Sequence, residues 1–260
     1  MNNDFVVTDE FVELILEIKT LFEYKSIKYW LDEGTLLGVV RDGSLINGDH
    51  DFDFSAGYCD LLNIIDICKA LKHKGYNIKY QSGLPYVEDM IQIYLLDDHL
   101  MNNIHVDINI YYFYNRKAIR RDLHYPQGKY GKFLVSSAKV LFREKIDYRQ
   151  SNNCRKMFLI SLIPLRIRKI LSYICMDIYI KYGTTLWQVV PIKYFSNLKQ
   201  IELFDSIFFI PADCENYLSY RYGDDWRVPV SNWIWRESPD KSIEYNRLNI
   251  IDIHHKQDQF

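Results

Sequence analysis

The sequence predicts an α+β protein with a more helical C-terminal part, and three observations predict it. Apolar residues recur at helical spacing from Phe11 to Phe22. Two β-rich runs, residues 86–96 and 104–113, stand close enough to pair as a hairpin. Residues 154–182 then return to a helical period.

Thr8 followed by Asp9 and Glu10 reads as a helix start, because threonine accepts an orphan N–H and acids suit the positive end of the helix dipole. Residues 27–31 read as a strand and residues 35–40 as a short helix ending at Arg41. Residues 49–55 read as a strand, and Leu61, Leu62, Ile64, Ile65, Cys68 and Leu71 as a helix closed near Gly75. The helical stretch 154–182 is broken at Pro164 and carries Arg155, Lys156, Arg166, Arg168 and Lys169. A core helix pair with a solvated basic face is one reading of it, and contact with a membrane surface is the other. Residues 204–211 read as a strand, 212–222 as a helix and 223–229 as a turn; the chain beyond Ser238 is polar and reads as loosely held.

A chain of 260 residues, 48% of them hydrophobic, can bury a substantial core as one large domain or two small ones. Its formal charge of −2 gives no global attraction to nucleic acid or to an anionic membrane, so any basic surface must be local. The five cysteines (Cys59, Cys68, Cys154, Cys175, Cys214) make no CxxC pair and no zinc spacing, and read as reduced structural thiols. The N-terminal MNNDFVV has no basic region followed by an apolar one, and no window holds about 18 uninterrupted apolar residues. A cytoplasmic address is therefore expected.

The chemistry concentrates in EGTLLGVVRDGSLINGDHDFDFS, from Glu33 to Ser55. On a strand alternate side chains share a face, so Asp51 and Asp53 project together while Phe52 and Phe54 turn to the core. Two carboxylates on one face repel unless a cation lies between them, and a small set of hard oxygen ligands suits Mg²⁺, with Mn²⁺ as the alternative. Asp107, flanked by Val106 and Ile108, is a carboxylate inside an apolar run and needs a partner; a shared cation would serve. A Gly-Thr opening a helix can receive a phosphate on its backbone N–H groups. Together these parts fit phosphoryl or nucleotidyl transfer. An EF-hand loop is excluded, since Ala56 stands where its glycine is required and apolar residues follow. His50 lies between the acids but faces away from Asp51, whereas His105 shares a face with Asp107. Trp226 can pack in the core or wall a substrate site. Trp233 and Trp235 can line an acceptor groove or pack half-exposed, and His254 and His255 are read as solvated.

The stretch GTLLGVVRDGSLINGDHDFDFS resembles the signature of the LicD family, which includes fukutin and fukutin-related protein. HVDI at residues 105–108 resembles the family's later Asp-bearing strand, and YGDDWRVP at 222–229 its C-terminal element. The resemblance runs from about residue 28 to 230. It implies a nucleotidyltransferase-like fold related to DNA polymerase β, with residues 1–150 as catalytic core and 151–260 as a mainly helical part completing the site. The implied activity is transfer of a substituted phosphate, phosphocholine or a polyol phosphate such as ribitol or glycerol phosphate, from a CDP-linked donor to a sugar hydroxyl of a surface polysaccharide or its lipid-linked precursor.

Carried over by position, Asp51 and Asp53 match the metal-binding pair, and Asp107 the third acid, as metal ligand or general base. Gly34 and Thr35 match the donor-phosphate turn, Arg41 the family arginine, and Asp49 an outer acid orienting loop or acceptor. The family's usual Pro-Trp before the first acid is replaced by Asn47-Gly48, and the cysteines do not support the structural zinc of some animal members. A lipid-carried acceptor suits peripheral membrane contact through 154–182, at the inner face of the membrane. Two rival readings are a nucleotidyltransferase that adds a nucleoside monophosphate to a small molecule and a non-catalytic glycan-binding protein.

Overall fold

The computed structural model describes residues 8–80, 90–95, 104–122, 126–143, 146, 154–230 and 240–246. Helix α1 (Asp9–Tyr24) starts at the expected cap, where the Thr8 hydroxyl accepts from the Phe11 N–H at 3.3 Å, and it buries Phe11, Leu14, Ile15, Ile18 and Phe22. Strand β1 (Tyr29–Leu31) leads into helix α2 (Glu33–Arg41). This helix begins two residues before the expected Thr35 because the Asp32 carboxylate caps it, accepting from the Glu33 N–H at 2.9 Å. Strand β2 (Asp51–Gly57) pairs antiparallel with β1, and helix α3 (Leu61–His73) buries Ile64, Ile67, Cys68 and Leu71.

Strands β3 (Asn77–Tyr80), β4 (Met90–Tyr94), β5 (His105–Tyr114) and β6 (Lys117–Asp122) follow; β4 and β5 are antiparallel, as the hairpin reading expects. Helix α4 (Gly128–Phe142) precedes α5 (Cys154–Ser161) and α6 (Leu165–Tyr182), which are divided at Pro164. The remaining elements are β7 (Thr185–Pro191), α7 (Lys193–Ser196), β8 (Leu198–Leu203), β9 (Ser206–Pro211), α8 (Cys214–Tyr222) and β10 (Ile243–Asn246). The strand expected from residue 204 begins instead at Ser206, because Phe204 and Asp205, both at φ 52°, form the two-residue turn of the β8–β9 hairpin.

Among the described residues the main sheet runs β1-β2-β5-β6-β7-β10, with β4 beside the first half of β5 and β3 beyond it. The part after residue 150 thus supplies β7 and β10 to this sheet as well as helices. Only β2 and β5 pair in parallel among the described strands, in the register Phe52–Val106, Asp53–Asp107, Phe54–Ile108. The even-numbered residues of both strands, Phe52, Phe54, Ala56, Val106, Ile108 and Ile110, enter the core. There Phe22, Tyr29 and Phe54 meet with ring centroids 5.4–5.6 Å apart.

A second, smaller cluster joins α4 to α6 through Val135, Ala138, Met176 and Tyr179. Arg168 belongs to this junction: it is buried, and its guanidinium donates to the carbonyls of Arg143 at 2.8 Å and Ile163 at 3.1 Å. It is therefore removed from the basic face expected of residues 154–182. Cys59, Cys68, Cys175 and Cys214 are free thiols. No helix among the described residues is long and apolar enough to cross a membrane.

Candidate active site

The odd-numbered residues at the beginnings of β2 and β5, Asp51, Asp53, His105 and Asp107, turn away from Phe52, Phe54, Val106 and Ile108 and make the site. Asp53 and Asp107 stand side by side in register, and Asp51 pairs with His105 one step closer to the strand beginnings. One ligand atom each from Asp51, His105 and Asp107 lie within 4.8 Å of one another, a spacing that one ion can bridge. The Asp107 Oδ1 is 3.2 Å from His105 Nε2 and accepts from the Gln92 amide at 3.2 Å, while the imidazole stacks on Tyr94 with centroids 4.8 Å apart. Asp53 Oδ1 accepts from Asn109 Nδ2 at 3.3 Å. The converging set among the described residues is thus Asp51, His105 and Asp107, with Asp53 adjoining it, rather than the three aspartates alone.

Helix α2 explains the glycines of GTLLG. A β-carbon on Gly34 would stand 2.6 Å from the Asp49 Oδ2 and 4.0 Å from the Asp53 Oδ2; one on Gly38, a turn later, would stand 2.6 Å from the Ser44 carbonyl oxygen. Both glycines let the 42–50 loop lie against the helix and bring Asp49 over its first turn. Between them Thr35 is buried, and its hydroxyl accepts from the Asp53 N–H at 2.8 Å. Thr35 therefore locks α2 to β2 and is absent from the cavity wall, where Gly34 is present.

Beneath the helix start lies a charge network that no short motif announces. Glu33 sits at φ 48°, a left-handed conformation that a β-carbon disfavours. Its carboxylate accepts from Arg120 at 2.7 Å, Arg221 at 2.6 Å and Gln188 at 3.0 Å. Asp32, fully buried, accepts from the Tyr217 hydroxyl at 2.6 Å and from the Ser55 hydroxyl at 2.8 Å. Arg221 also donates to Asp240 at 3.1 Å, and Arg120 donates to the Asn109 side chain. Burial opposes ionisation of Glu33, but Arg221 and Arg120 outweigh it and hold its pKa at about 2.

The acids at the strand beginnings have the opposite electrostatics. Burial, the charge and hydrogen bond of Asp49, and the charge of Asp107 push Asp51 up to about 8, against the pull of His105. Burial and then Asp51, Asp107, Glu33 and Asp49 hold Asp53 well above the ordinary carboxylate range. These groups open on a cavity of about 1080 Å³ whose wall includes Gly34, Arg41, Asp49, Asp51, Asp53 and Asp107. Arg41 is forked onto Asp42, at 2.9 Å from Nε and 2.7 Å from Nη2, at the cavity rim. Trp226 is 5% exposed and forms part of the far wall with Tyr222 and Asp225, its ring 4.2 Å from the Arg227 guanidinium. His50 is exposed. Trp233, Trp235, His254 and His255 lie outside the described residues, as does most of the polar C-terminal stretch.

Residues 26–143 match the family model described as LicD/FKTN/FKRP, nucleotidyltransferase domain. This segment belongs to the LicD family. Two uncharacterised proteins are also similar. One from Rickettsia typhi is 29% identical over 124 residues, 45% of this chain and 38% of that protein. One from Rickettsia prowazekii is 32% identical over 69 residues, 26% of each. The matches thus span well under half the length of these relatives. Among solved structures, a lincosamide antibiotic adenylyltransferase with lincomycin bound aligns with TM-score 0.31 and 20% identity, over 45% of this chain and 64% of that one. The protein ANT(2'')-Ia in complex with adenylyl-2''-tobramycin aligns with TM-score 0.30 and 10% identity, over 65% of this chain and 98% of that one. The family rests on the LicD match.

The LicD domain holds its acids on two strands far apart in sequence, and alternation along each strand makes Asp51, Asp53 and Asp107 visible. The same alternation puts His105 beside them. Glu33, Arg120 and Arg221 carry no such signal, because their meeting depends on β6 and α8 folding back under α2.

Proposed function

We propose that this protein is a divalent-metal-dependent transferase that moves a substituted phosphate, phosphocholine or a polyol phosphate, from a CDP-activated donor to a sugar hydroxyl. The observation that supports this reading is the convergence of Asp51, His105 and Asp107, with Asp53 in register, at the end of a cavity floored by the start of α2. The donor set fits a divalent cation: two carboxylate oxygens and an imidazole nitrogen within bridging range, and carboxyls whose mutual repulsion and burial raise the pKa of Asp51 and Asp53. Asp51, His105 and Asp107 would hold the ion, which supplies charge neutralisation on the diphosphate oxygens. Mg²⁺ suits the carboxylates, and the imidazole shifts the preference toward Mn²⁺.

The chain's own residues divide the remaining work. Gly34, without a side chain, lets the Asp49 carboxylate lie over the first turn of α2, where the helix dipole favours negative charge and where a donor phosphate would take its place. Arg120 brings positive charge to the cavity wall from the network below. In the reaction the acceptor hydroxyl oxygen forms a bond to the phosphorus bearing the substituent, the anhydride P–O bond breaks, CMP leaves, and the hydroxyl proton passes to a carboxylate. Asp107 takes that proton or serves only as a ligand. Trp226 contributes an aromatic face to the cavity wall, where the substituent or acceptor sugar would pack.

The test is incubation with a panel of CDP conjugates and a sugar acceptor, with Mg²⁺ or Mn²⁺, scored by CMP release against Asp53→Asn as blank. Release from one conjugate, dependent on metal and absent in the variant, is the expected result. Pyrophosphate release from a nucleoside triphosphate instead would reassign the site to nucleotidyl transfer, the activity named in the family description.

A further inference from the structure

We propose that the outward face of α6, together with α5, is a docking surface for an anionic lipid bilayer. Helix α6 carries two apolar stripes where a water-soluble helix needs one. Ser172, Met176 and Tyr179 turn inward against α4. Ile167, Ile170, Leu171, Ile174 and Ile178, spaced three and four apart, form a second stripe on the other side and are 37–59% exposed. Phe158 and Leu159 of α5 and Leu162, just before the Pro164 break, are exposed as well.

Ten of the seventeen exposed large hydrophobic side chains among the described residues fall on α5, α6 and the junction between them. Isolated exposed apolar residues are ordinary, but a concentration of them marks an interaction surface.

Charge identifies the occupant. Helices α5 and α6 contain six Lys and Arg residues and one acid, Asp177, in a chain whose formal charge is −2. With Arg168 committed to the α4 junction, the side chains of Arg155, Lys156, Arg166 and Lys181 are exposed on these two helices. Two such faces repel each other, which disfavours a second copy as the partner. A polyanion without apolar groups leaves the isoleucines and leucines uncovered. A bilayer with anionic headgroups satisfies both components, the basic residues at the phosphates and the isoleucine stripe at the acyl boundary. The helices lie on such a surface rather than cross it, since none of them is long and apolar enough to span.

The test uses the full chain with extruded vesicles of phosphatidylcholine alone or with one third phosphatidylglycerol, read by flotation. It requires no donor, so its outcome is independent of the proposed activity. Binding is expected to the anionic vesicles, to weaken as salt rises, and to fall about five-fold for each charge removed in Arg166→Gln and Lys181→Gln. The double variant Ile170→Gln, Ile174→Gln is expected to lose binding at least about ten-fold, and an unchanged circular dichroism melt verifies that it still folds. Failure of the wild-type chain to float with anionic vesicles overturns the proposal, as does full binding by the isoleucine variant. Dimerisation without vesicle binding, or binding to a DNA oligonucleotide that ignores the isoleucine variant, assigns the face to another partner and overturns it equally.

Discussion

Two groups of acids meet at the start of α2, and Glu33 of one is the opposite of Asp51 of the other. Below it, Glu33 is partly buried beside Arg120 and Arg221, whose guanidinium groups hold it ionised at about 2, while its fully buried neighbour Asp32 is raised by burial and by the Glu33 charge. Above it, Asp51 and Asp53 are crowded by other acids, and Asp51 is pushed up to about 8. The lower group has its ion pairs and hydrogen bonds in place and fixes the position of the helix. The upper group gathers like charges that a bound cation would relieve, and a protein that maintains such repulsion in a cavity wall has the electrostatics of a site. The contrast separates architecture from chemistry among residues of one chemical type.

The strongest way to break the contrast is to remove one acid from the upper group and one base from the lower. Asp53→Asn is expected to lower CMP release by about 10³-fold or more, since charge neutralisation at the diphosphate is worth several kcal/mol. The same variant is expected to raise Tm in EDTA, because it removes a repelled charge. Arg221→Met is expected to cost about 3–5 kcal/mol in urea unfolding, the usual penalty for leaving a buried charge without its partner. If Asp53→Asn destabilises the protein, or Arg221→Met leaves it as stable as before, the division between the two groups is wrong.

The pH dependence sharpens the same contrast, with opposite signs. Asp51 has its pKa raised from 3.8 to about 8, so its contribution to stability is complete below about 4 and is lost as pH rises through 8. Glu33 has its pKa lowered from 4.5 to about 2, so its contribution is present above 4.5 and is lost as pH falls through 2. In EDTA, Tm is therefore expected to decline from pH 5 to pH 8, and Mn²⁺ or Mg²⁺ is expected to restore it most at pH 8, where the proton no longer competes. Asp51→Asn should lack both the decline and the metal effect. For a domain of this size each kcal/mol moves Tm by about 2–4 °C, which differential scanning fluorimetry resolves. A metal-induced rise that is as large in Asp51→Asn as in the wild type would place the ion elsewhere.

The two groups also differ in how far the sequence discloses them. Asp51 and Asp53 are two apart, and Asp107 sits in a run whose apolar neighbours mark it as a strand, so period-2 alternation is enough to aim all three at one face. The same reasoning aims His105 at Asp107, and the structure brings its ring nitrogen to 3.2 Å from that carboxylate. The lower group is illegible because Glu33 lies 87 residues from Arg120 and 188 from Arg221. Burial of an arginine can be seen only once the sheet and α8 are assembled. Even the helix boundary was misread, since Glu33 at φ 48° enters α2 in a conformation that propensity disfavours and the ion pairs impose. Arg168 illustrates the same limit: it reads as one more surface cation until α4 supplies the Arg143 carbonyl.

The smallest expected effect lies where the two groups touch, at Gly34. An alanine there gains about 1 kcal/mol of intrinsic helix preference over glycine. Its β-carbon would fall 2.6 Å from the Asp49 Oδ2, the mobile end of a side chain that can swing away. The two terms nearly cancel, so Gly34→Ala is expected to leave urea stability within about 1 kcal/mol of the wild type. What changes is access: the new methyl group and the displaced Asp49 narrow the approach to the first turn of α2. The expected result is a rise in donor KM of about ten-fold with kcat less affected, because the loss falls on binding a phosphate rather than on the carboxylates that carry the reaction. An unchanged KM would mean that the donor phosphate does not sit at this turn. A loss as deep as that of Asp53→Asn would mean that Gly34 acts by positioning the acids themselves.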